Sequence, residues 1–176
     1  LVTDTSRGTT LEDNGARVST VEHVLAALVG SGVDNCLIEM NGPETPIIDG
    51  SSQPFIDIID EVGVLEQEAA KSWYTIDTNI TYYNEEKRVE LVAMPSPDYK
   101  ITTLIDFNSP VLGTQHAKLK SMKDFRHEIA PCRTFCFLHE LEMLLDHNLI
   151  KGGDINNAIV VVDKPVTEKE MSRLAR

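Results

Sequence analysis

The spacing of apolar residues changes from alternation to a helical period near residue 19. Residues 1–18 are polar with an alternating stretch, and apolar residues then recur every three or four positions from Val21 to Leu28, which predicts a helix. Ser19 and Glu22 have the spacing of a capping box at its start. Because alanines instead of charged residues occupy the opposite face, we expect a helix buried on nearly all sides, with Glu22 and His23 at its N-terminal end.

Helices and strands are predicted in mixed order along the rest of the chain. A tight turn is expected at residues 13–15, because they contain an Asn-Gly pair. Strands are expected at 36–40, 73–77, 79–83, 88–94, 99–107 and 158–162, and helices at 54–63, 123–129, 138–147 and 167–174. The polar connector over residues 66–72 is the expected domain boundary. The predicted fold class is therefore α+β, with one unit over residues 1–70 and a second over residues 71–176.

The charge balance excludes several classes of function. Lys and Arg total 16 against 28 Asp and Glu, for a formal net charge of −12. Such a surface repels phosphate backbones and anionic lipids, so we expect no nucleic-acid partner. No apolar run approaches the ~20 residues of a membrane span, which predicts no stable membrane insertion. The odd number of cysteines, three, indicates a reducing compartment, and we expect a cytoplasmic protein.

Glu22 and His23 are the residues with the clearest chemical potential. A neutral imidazole is the commonest metal ligand in proteins, and a neighbouring carboxylate can act as a general base. The pair supplies a single candidate ligand, so it is less specific than a motif that contains two histidines. The alternative is a non-catalytic α+β interaction module, in which Glu22 is a helix cap and His23 a core residue. His139, on the later predicted helix, is interpreted as solvated.

Several segments, taken together and in order, resemble one known family. They cover essentially the whole chain and match the zinc-dependent UDP-3-O-acyl-N-acetylglucosamine deacetylases of lipid A synthesis. The resemblance implies two α/β sandwich domains of similar topology that face each other, with zinc between them. It also implies a hydrolase that removes the N-acetyl group from UDP-3-O-((R)-3-hydroxyacyl)-N-acetylglucosamine. The matching segments are Val18–His23, Gly32–Asn35, Asn41–Glu44, Pro46–Ser51, Ile105–Asn108, Arg133–Phe135 and Asn157–Val161.

The resemblance also implies roles for individual residues. Glu22 would be the general base and His23 a zinc ligand. Thr134 would help to hold the oxyanion, Phe135 would stack near the sugar, and Lys87 is matched to a substrate-contacting lysine. Four apolar residues of a family insert would line a channel for the acyl chain, with ordinary core packing as the alternative. They are Leu138, Leu141, Leu144 and Ile150.

The sequence departs from the family pattern in its metal ligands. The family takes two further zinc ligands from a later H-x-x-x-D segment, which this sequence does not contain. The chain starts without Met, and the family's first strands have no match, so both domains are expected to be truncated and the fragment inactive with weak zinc binding. Gly8 stands where some members carry a metal-adjacent cysteine. Some relatives are also fused at the C-terminus to a hydroxyacyl-carrier-protein dehydratase, which is a possible partner domain here.

Overall fold

The computed structural model describes residues 1–6, 8–141, 156–163, 165–168 and 172. Over these residues the chain is a mixed α+β structure, as predicted. The strands are β1 (Val2–Asp4), β2 (Thr10–Asp13), β3 (Ala16–Val18), β4 (Ile80–Asn84), β5 (Val89–Ala93), β6 (Ile101–Asp106), β7 (Thr114–Leu119), β8 (Phe135–Phe137) and β9 (Ile159–Val161). The helices are α1 (Glu22–Gly30), α2 (Gln53–Val62) and α3 (Phe125–Glu128), and a 3-10 turn at Met122–Asp124 precedes α3.

The first three strands form an antiparallel sheet in the order β1-β2-β3. Asn14 and Gly15 connect β2 to β3 with φ values of 48° and 84°. Positive φ at both central residues is the requirement of the hairpin turn that an Asn-Gly pair favours, so the turn prediction is confirmed. After β3, Ser19 and Thr20 lead into the turn that connects the sheet to α1.

Helix α1 differs from its prediction in both its start and its burial. It begins at Glu22, and its N-cap residue is Val21, whose side chain makes no capping hydrogen bond. The predicted capping box at Ser19 is therefore wrong. Ala27 is fully buried, but Val29 is 58% exposed, so the helix is not buried on nearly all sides. Within the described part of the chain, one face packs against a core and the opposite face is open.

Helix α2 follows its prediction closely. Pro54 lies in the first turn, where its missing N–H has no cost. Ile56 on its apolar face is fully buried. Gly63 ends the helix with φ at 83° and donates its N–H to the Ile59 carbonyl at 2.8 Å. A side chain other than glycine would be strained at this φ.

One apolar core joins α1, α2, β7 and α3. It includes residues from both sides of the predicted domain boundary, so the first helices and the later segment around α3 pack together. Arg126 of α3 also pairs with Asp60 of α2 at the surface. The buried members of this core are Ala27, Ile56, Leu119, Phe125 and Ala130.

The middle of the chain contains two antiparallel hairpins, β4–β5 and β6–β7, each a separate two-stranded sheet. Strand β7 was not predicted, because its lysines and glutamine obscure the alternation of apolar and polar residues. It is a strand because all six of its residues pair with β6. The predicted strands at 36–40 and 73–77 are wrong, since both segments are irregular. Leu37 is 86% and Tyr74 is 90% exposed. Without a neighbouring strand to satisfy its backbone groups, β-propensity does not order a segment.

Strands β8 and β9 form a parallel pair, with Phe135 opposite Ile159. The strand predicted at 158–162 is confirmed, whereas β8 lies in a segment for which no element was predicted. Residues 138–141 continue from β8 as helix, and the rest of that predicted helix, residues 142–147, lies outside the described residues. Most of the helix predicted at 167–174 lies outside them as well. Of the helices described, none combines the length and the apolar character needed to cross a bilayer.

We expect Gly30→Ala to destabilise the fold, because an added Cβ would lie 2.2 Å from Cδ1 of the buried Phe125 ring. Alanine ordinarily stabilises a helix relative to glycine. Here overpacking should lower the free energy of unfolding by about 1–3 kcal/mol, measured by urea denaturation. Val29→Ala, at the neighbouring exposed position, is the control and should change it by less than about 0.5 kcal/mol. Equal stability of Gly30→Ala and the wild type would contradict this packing.

Candidate active site

Glu22 is held from outside its own helix. Its Oε2 accepts a hydrogen bond from the backbone N–H of Thr9 at 2.8 Å. The Thr9 carbonyl in turn accepts the N–H of Val21 at 3.3 Å. The segment before β2 therefore fixes both the carboxylate and the entry to α1, and the interpretation of Glu22 as a helix cap is wrong. The half-buried carboxylate is oriented, with one oxygen engaged by an amide.

Gly8 lies beside the second oxygen of the same carboxylate. An ideal Cβ at Gly8 would lie 3.2 Å from Glu22 Oε1 and 3.5 Å from Thr20 Oγ1. The missing side chain therefore leaves space next to Oε1. A carboxylate that is anchored through one oxygen and open at the other can accept a proton from a nearby water.

His23 follows Glu22 and is half-buried. Neither of its ring nitrogens has a hydrogen-bond partner among the residues that the structure describes, so the imidazole suits a metal ligand by donor type and availability. A catalytic zinc usually takes three protein ligands. Over the described ranges, no group of three or more His, Cys, Asp or Glu side chains could hold a metal ion. His23 fits one position of a zinc site, and the described residues do not complete the ligand set.

The backbone of Thr134 is fixed on both sides. Its N–H donates to the Gly50 carbonyl at 2.7 Å, and its carbonyl accepts the N–H of Ile159 at 2.9 Å. The neighbouring Arg133 donates from Nε to the Asp49 carbonyl at 2.6 Å and from its terminal nitrogen to the Asn156 carbonyl. Thr134 is exposed, so an accessible residue lies on a backbone that these hydrogen bonds hold.

An aromatic cluster surrounds Phe135. Its ring lies 5.5 Å from that of Phe107 and 5.9 Å from that of Phe137, both in edge-to-face geometry. Phe137 stacks on His139 at 5.5 Å. His139 is 57% exposed, in line with its interpretation as solvated, but its Nδ1 lies 2.6 Å from an Asp163 carboxylate oxygen. Phe135 itself remains 40% exposed, which leaves an aromatic face accessible beside Thr134.

Sequence reasoning did not assign a role to Phe137, Phe107 or Asp163. The two-residue spacing of Phe135 and Phe137 was a usable signal, since alternate residues of a strand lie on the same face. Asp163 could not have been paired with His139 from sequence, because the pairing depends on the parallel alignment of β8 and β9.

The remaining predicted site residues are Lys87 and the four apolar residues of the insert. Lys87 lies in the β4–β5 turn, exposed, where its backbone N–H donates to Asn84 Oδ1 at 2.9 Å. Leu138 is fully buried, which is the environment of a core residue, and Leu141 is half-buried. Leu144 and Ile150 fall outside the described residues, so the acyl channel stays a prediction.

All 176 residues match the sequence profile of a family described as UDP-3-O-acyl N-acetylglycosamine deacetylase. The chain belongs to this deacetylase family. The family assignment agrees with the resemblance carried by the motifs around Glu22, Gly50 and Thr134, and it covers both the first helices and the later strands.

Several curated relatives match nearly the whole of this chain. It is 47% identical over 175 residues to the bifunctional enzyme LpxC/FabZ of Chlorobaculum tepidum, covering 99% of this chain and 38% of the relative. It is 43% identical over 174 residues to the enzyme of the same name from Bacteroides thetaiotaomicron. A UDP-3-O-acyl-N-acetylglucosamine deacetylase from Syntrophotalea carbinolica is 42% identical over 166 residues, covering 94% of this chain and 53% of the relative. The chain thus spans about two fifths to one half of the length of these relatives.

In this member of the deacetylase family, the two groups of site residues belong to separate elements. Glu22 and His23 begin α1, whereas Phe135 begins β8 and Thr134 directly precedes it. In the part of the chain that the structure describes, no hydrogen bond or ring contact joins the two groups directly. Gly50, in the loop between α1 and α2, contacts the second group through the Thr134 amide.

Gly50→Ala should destabilise the protein and displace Thr134. Gly50 has φ at 82°, and an added Cβ would lie 2.1 Å from the Asn157 carbonyl oxygen and 3.1 Å from Thr134 Cγ2. We expect the free energy of unfolding to fall by about 2–4 kcal/mol, with a shifted amide resonance for Thr134 in NMR spectra.

Gly42→Ala is the matched control, since nothing lies within 4 Å of a Cβ at that position. It should leave both the stability and the Thr134 resonance near their wild-type values. If the two alanine variants behave alike, the close approach of Gly50 to Asn157 and Thr134 is refuted.

Proposed function

We propose that this chain supplies the general base and one zinc ligand of a zinc-dependent deacetylase of lipid A biosynthesis. Its substrate would be UDP-3-O-((R)-3-hydroxyacyl)-N-acetylglucosamine, from which it removes the N-acetyl group. The observation that carries the proposal is the adjacent placement of Glu22 and His23 at the start of α1, with the carboxylate anchored by the Thr9 amide at 2.8 Å. The family assignment and the deacetylase named in Syntrophotalea carbinolica support it.

The reaction is hydrolysis of an acetamide, in which water attacks the carbonyl carbon, the C–N bond breaks, and acetate and a free amine leave. Glu22 accepts the proton of the attacking water at Oε1, the oxygen beside Gly8, while Oε2 stays bonded to the Thr9 amide. Zinc, held by His23 and by ligands outside the described residues, would supply Lewis-acid polarisation of the acetamide carbonyl. The Thr134 hydroxyl donates a hydrogen bond to the oxyanion of the tetrahedral intermediate.

Substrate contacts are proposed for the residues around Phe135. Its accessible face, supported edge-on by Phe107 and Phe137, suits one side of a sugar ring. Lys87 would contact an anionic part of the substrate, and the insert after β8 would bind the acyl chain. Each methylene group that the insert buries would contribute about 0.8 kcal/mol to binding.

The architecture of the full-length protein is part of the same proposal. We infer two α+β sandwich domains with the zinc between them, in the cytoplasm. The bifunctional names of the relatives from Chlorobaculum tepidum, Bacteroides thetaiotaomicron and Porphyromonas gingivalis support fusion to a dehydratase domain in the intact gene product.

Residues 1–176 alone are expected to bind zinc weakly and to lack deacetylase activity, because a catalytic zinc takes about three protein ligands and this sequence contains no H-x-x-x-D segment to supply the other two. Zinc content after gel filtration and release of acetate measure the two properties, with the full-length gene product as the positive control. Stoichiometric zinc together with turnover in residues 1–176 would contradict the incomplete ligand set.

Glu22→Gln in the full-length gene product should lower kcat about 10²–10⁴-fold with KM nearly unchanged. The glutamine oxygen still accepts the Thr9 N–H, so the melting temperature should stay near that of the wild type. Glu61→Gln, at an exposed position near the end of α2, is the control and should leave kcat unchanged. Wild-type turnover of Glu22→Gln would contradict the role of Glu22 as general base, whereas a non-catalytic interaction module predicts no turnover in the wild type either.

A further inference from the structure

Thr20 has an unusual backbone conformation immediately before the candidate base and ligand. Its φ is 59°, in the left-handed region that β-branched residues rarely adopt. Such a conformation persists only where the surrounding structure holds it, and it is found more often near functional sites than elsewhere. Only Val21 separates it from Glu22, so its φ sets the direction in which the chain enters α1.

The segment 43–45 holds Thr20 in this conformation. The Thr20 hydroxyl donates to Glu44 Oε1 at 2.7 Å, and the hydroxyl of the buried Thr45 donates to the Thr20 carbonyl. On the preceding residue, the Ser19 N–H donates to the Pro43 carbonyl at 2.9 Å, and the Ser19 carbonyl accepts the N–H of Thr45 at 3.1 Å. Four hydrogen bonds from three consecutive residues therefore fix both peptide groups around Thr20.

The opposite side of the same turn is held by Thr9, which bonds to Val21 and to the Glu22 carboxylate. The entry to α1 thus lies between two supports, one on each side. If Thr20 relaxed to an ordinary helical or extended φ, the first turn of α1 would rotate as a unit. Glu22 would then lose its bond to the Thr9 amide, and the His23 ring would point in a different direction.

We propose that Thr20, Glu44 and Thr45 form a positioning device, the Thr20 latch, that sets the orientation of Glu22 and His23. Glu44 acts through the Thr20 hydroxyl, and none of the three touches the reacting atoms. The latch rests on the proposed function, because its purpose is to hold the general base and the zinc ligand in reactive geometry. An outer-shell residue of this kind changes metal affinity or activity by about 10–100-fold when it is removed.

Glu44→Ala in the full-length gene product should lower kcat about 10-fold and weaken zinc retention against a chelator about 10-fold, with KM little changed. Glu44→Gln keeps an oxygen that can accept the Thr20 hydroxyl and should restore both values. Glu39→Ala is the matched control, since Glu39 is exposed on the same loop and has no hydrogen bond or ion pair within the described ranges. It should behave as the wild type does.

Thr20→Gly distinguishes an effect on the orientation of Glu22 and His23 from an effect on the stability of the fold. Glycine adopts positive φ freely, so the melting temperature should be unchanged or raised, while loss of the hydroxyl contact frees the turn. We expect kcat to fall and the Thr9 and Val21 amides to exchange hydrogen faster. A purely structural role would instead make activity follow stability in every variant.

The outcomes distinguish the latch from the proposed function. If the wild-type gene product has neither zinc nor deacetylase activity, the proposed function is overturned. The latch is still tested in that case, because faster amide exchange at Thr9 in Glu44→Ala shows whether the latch holds the turn. The latch is overturned by a different result. In that case the wild type is active and binds zinc, and Glu44→Ala and Thr20→Gly have the same kcat, zinc retention and amide exchange as the wild type.

Discussion

The hydrogen bond from the Thr9 amide to the Glu22 carboxylate is the interaction on which the rest of the candidate site depends. A glutamate in the first turn of a helix can rotate freely or cap its own helix. Here an amide from outside the helix selects one carboxylate orientation at 2.8 Å. The Thr9 carbonyl also accepts the Val21 N–H, which fixes the backbone that enters α1 just before His23. The adjacent segment therefore orients the carboxylate and sets the backbone position from which the imidazole extends.

The loop between α1 and α2 links this pair to the second half of the site. Glu44 and Thr45 contact the turn before α1, and six residues after Glu44 the carbonyl of Gly50 accepts the amide of Thr134. One short segment thus touches the supports of both the proposed base, Glu22, and the proposed oxyanion donor, Thr134. This segment contains no regular helix or strand. Its backbone is therefore held by these contacts instead of by the hydrogen bonds of a regular element. A loop positioned by rigid elements is a common location for functional residues.

Local sequence patterns were sufficient to predict elements that are specified by their own residues. The Asn14-Gly15 turn and the helix that begins near Pro54 and ends at Gly63 are two such elements. Strand pairing was not accessible in this way: β7 formed from a lysine-containing segment because β6 pairs with it, while the apolar segment at 36–40 stayed irregular. The chemical identity of Glu22 and His23 could be predicted from sequence, but their supports could not. A carboxylate that contacts an amide thirteen residues earlier leaves no periodic signal.

We expect His23 to bind a zinc ion beside the carboxylate that is anchored on Thr9. Anomalous diffraction at the zinc edge, from crystals of the full-length gene product, measures this binding. An anomalous peak is expected about 2.1 Å from a ring nitrogen of His23, with one Glu22 oxygen facing the metal and the other bonded to Thr9. A zinc peak elsewhere, with both His23 nitrogens hydrogen-bonded to protein atoms, would contradict it.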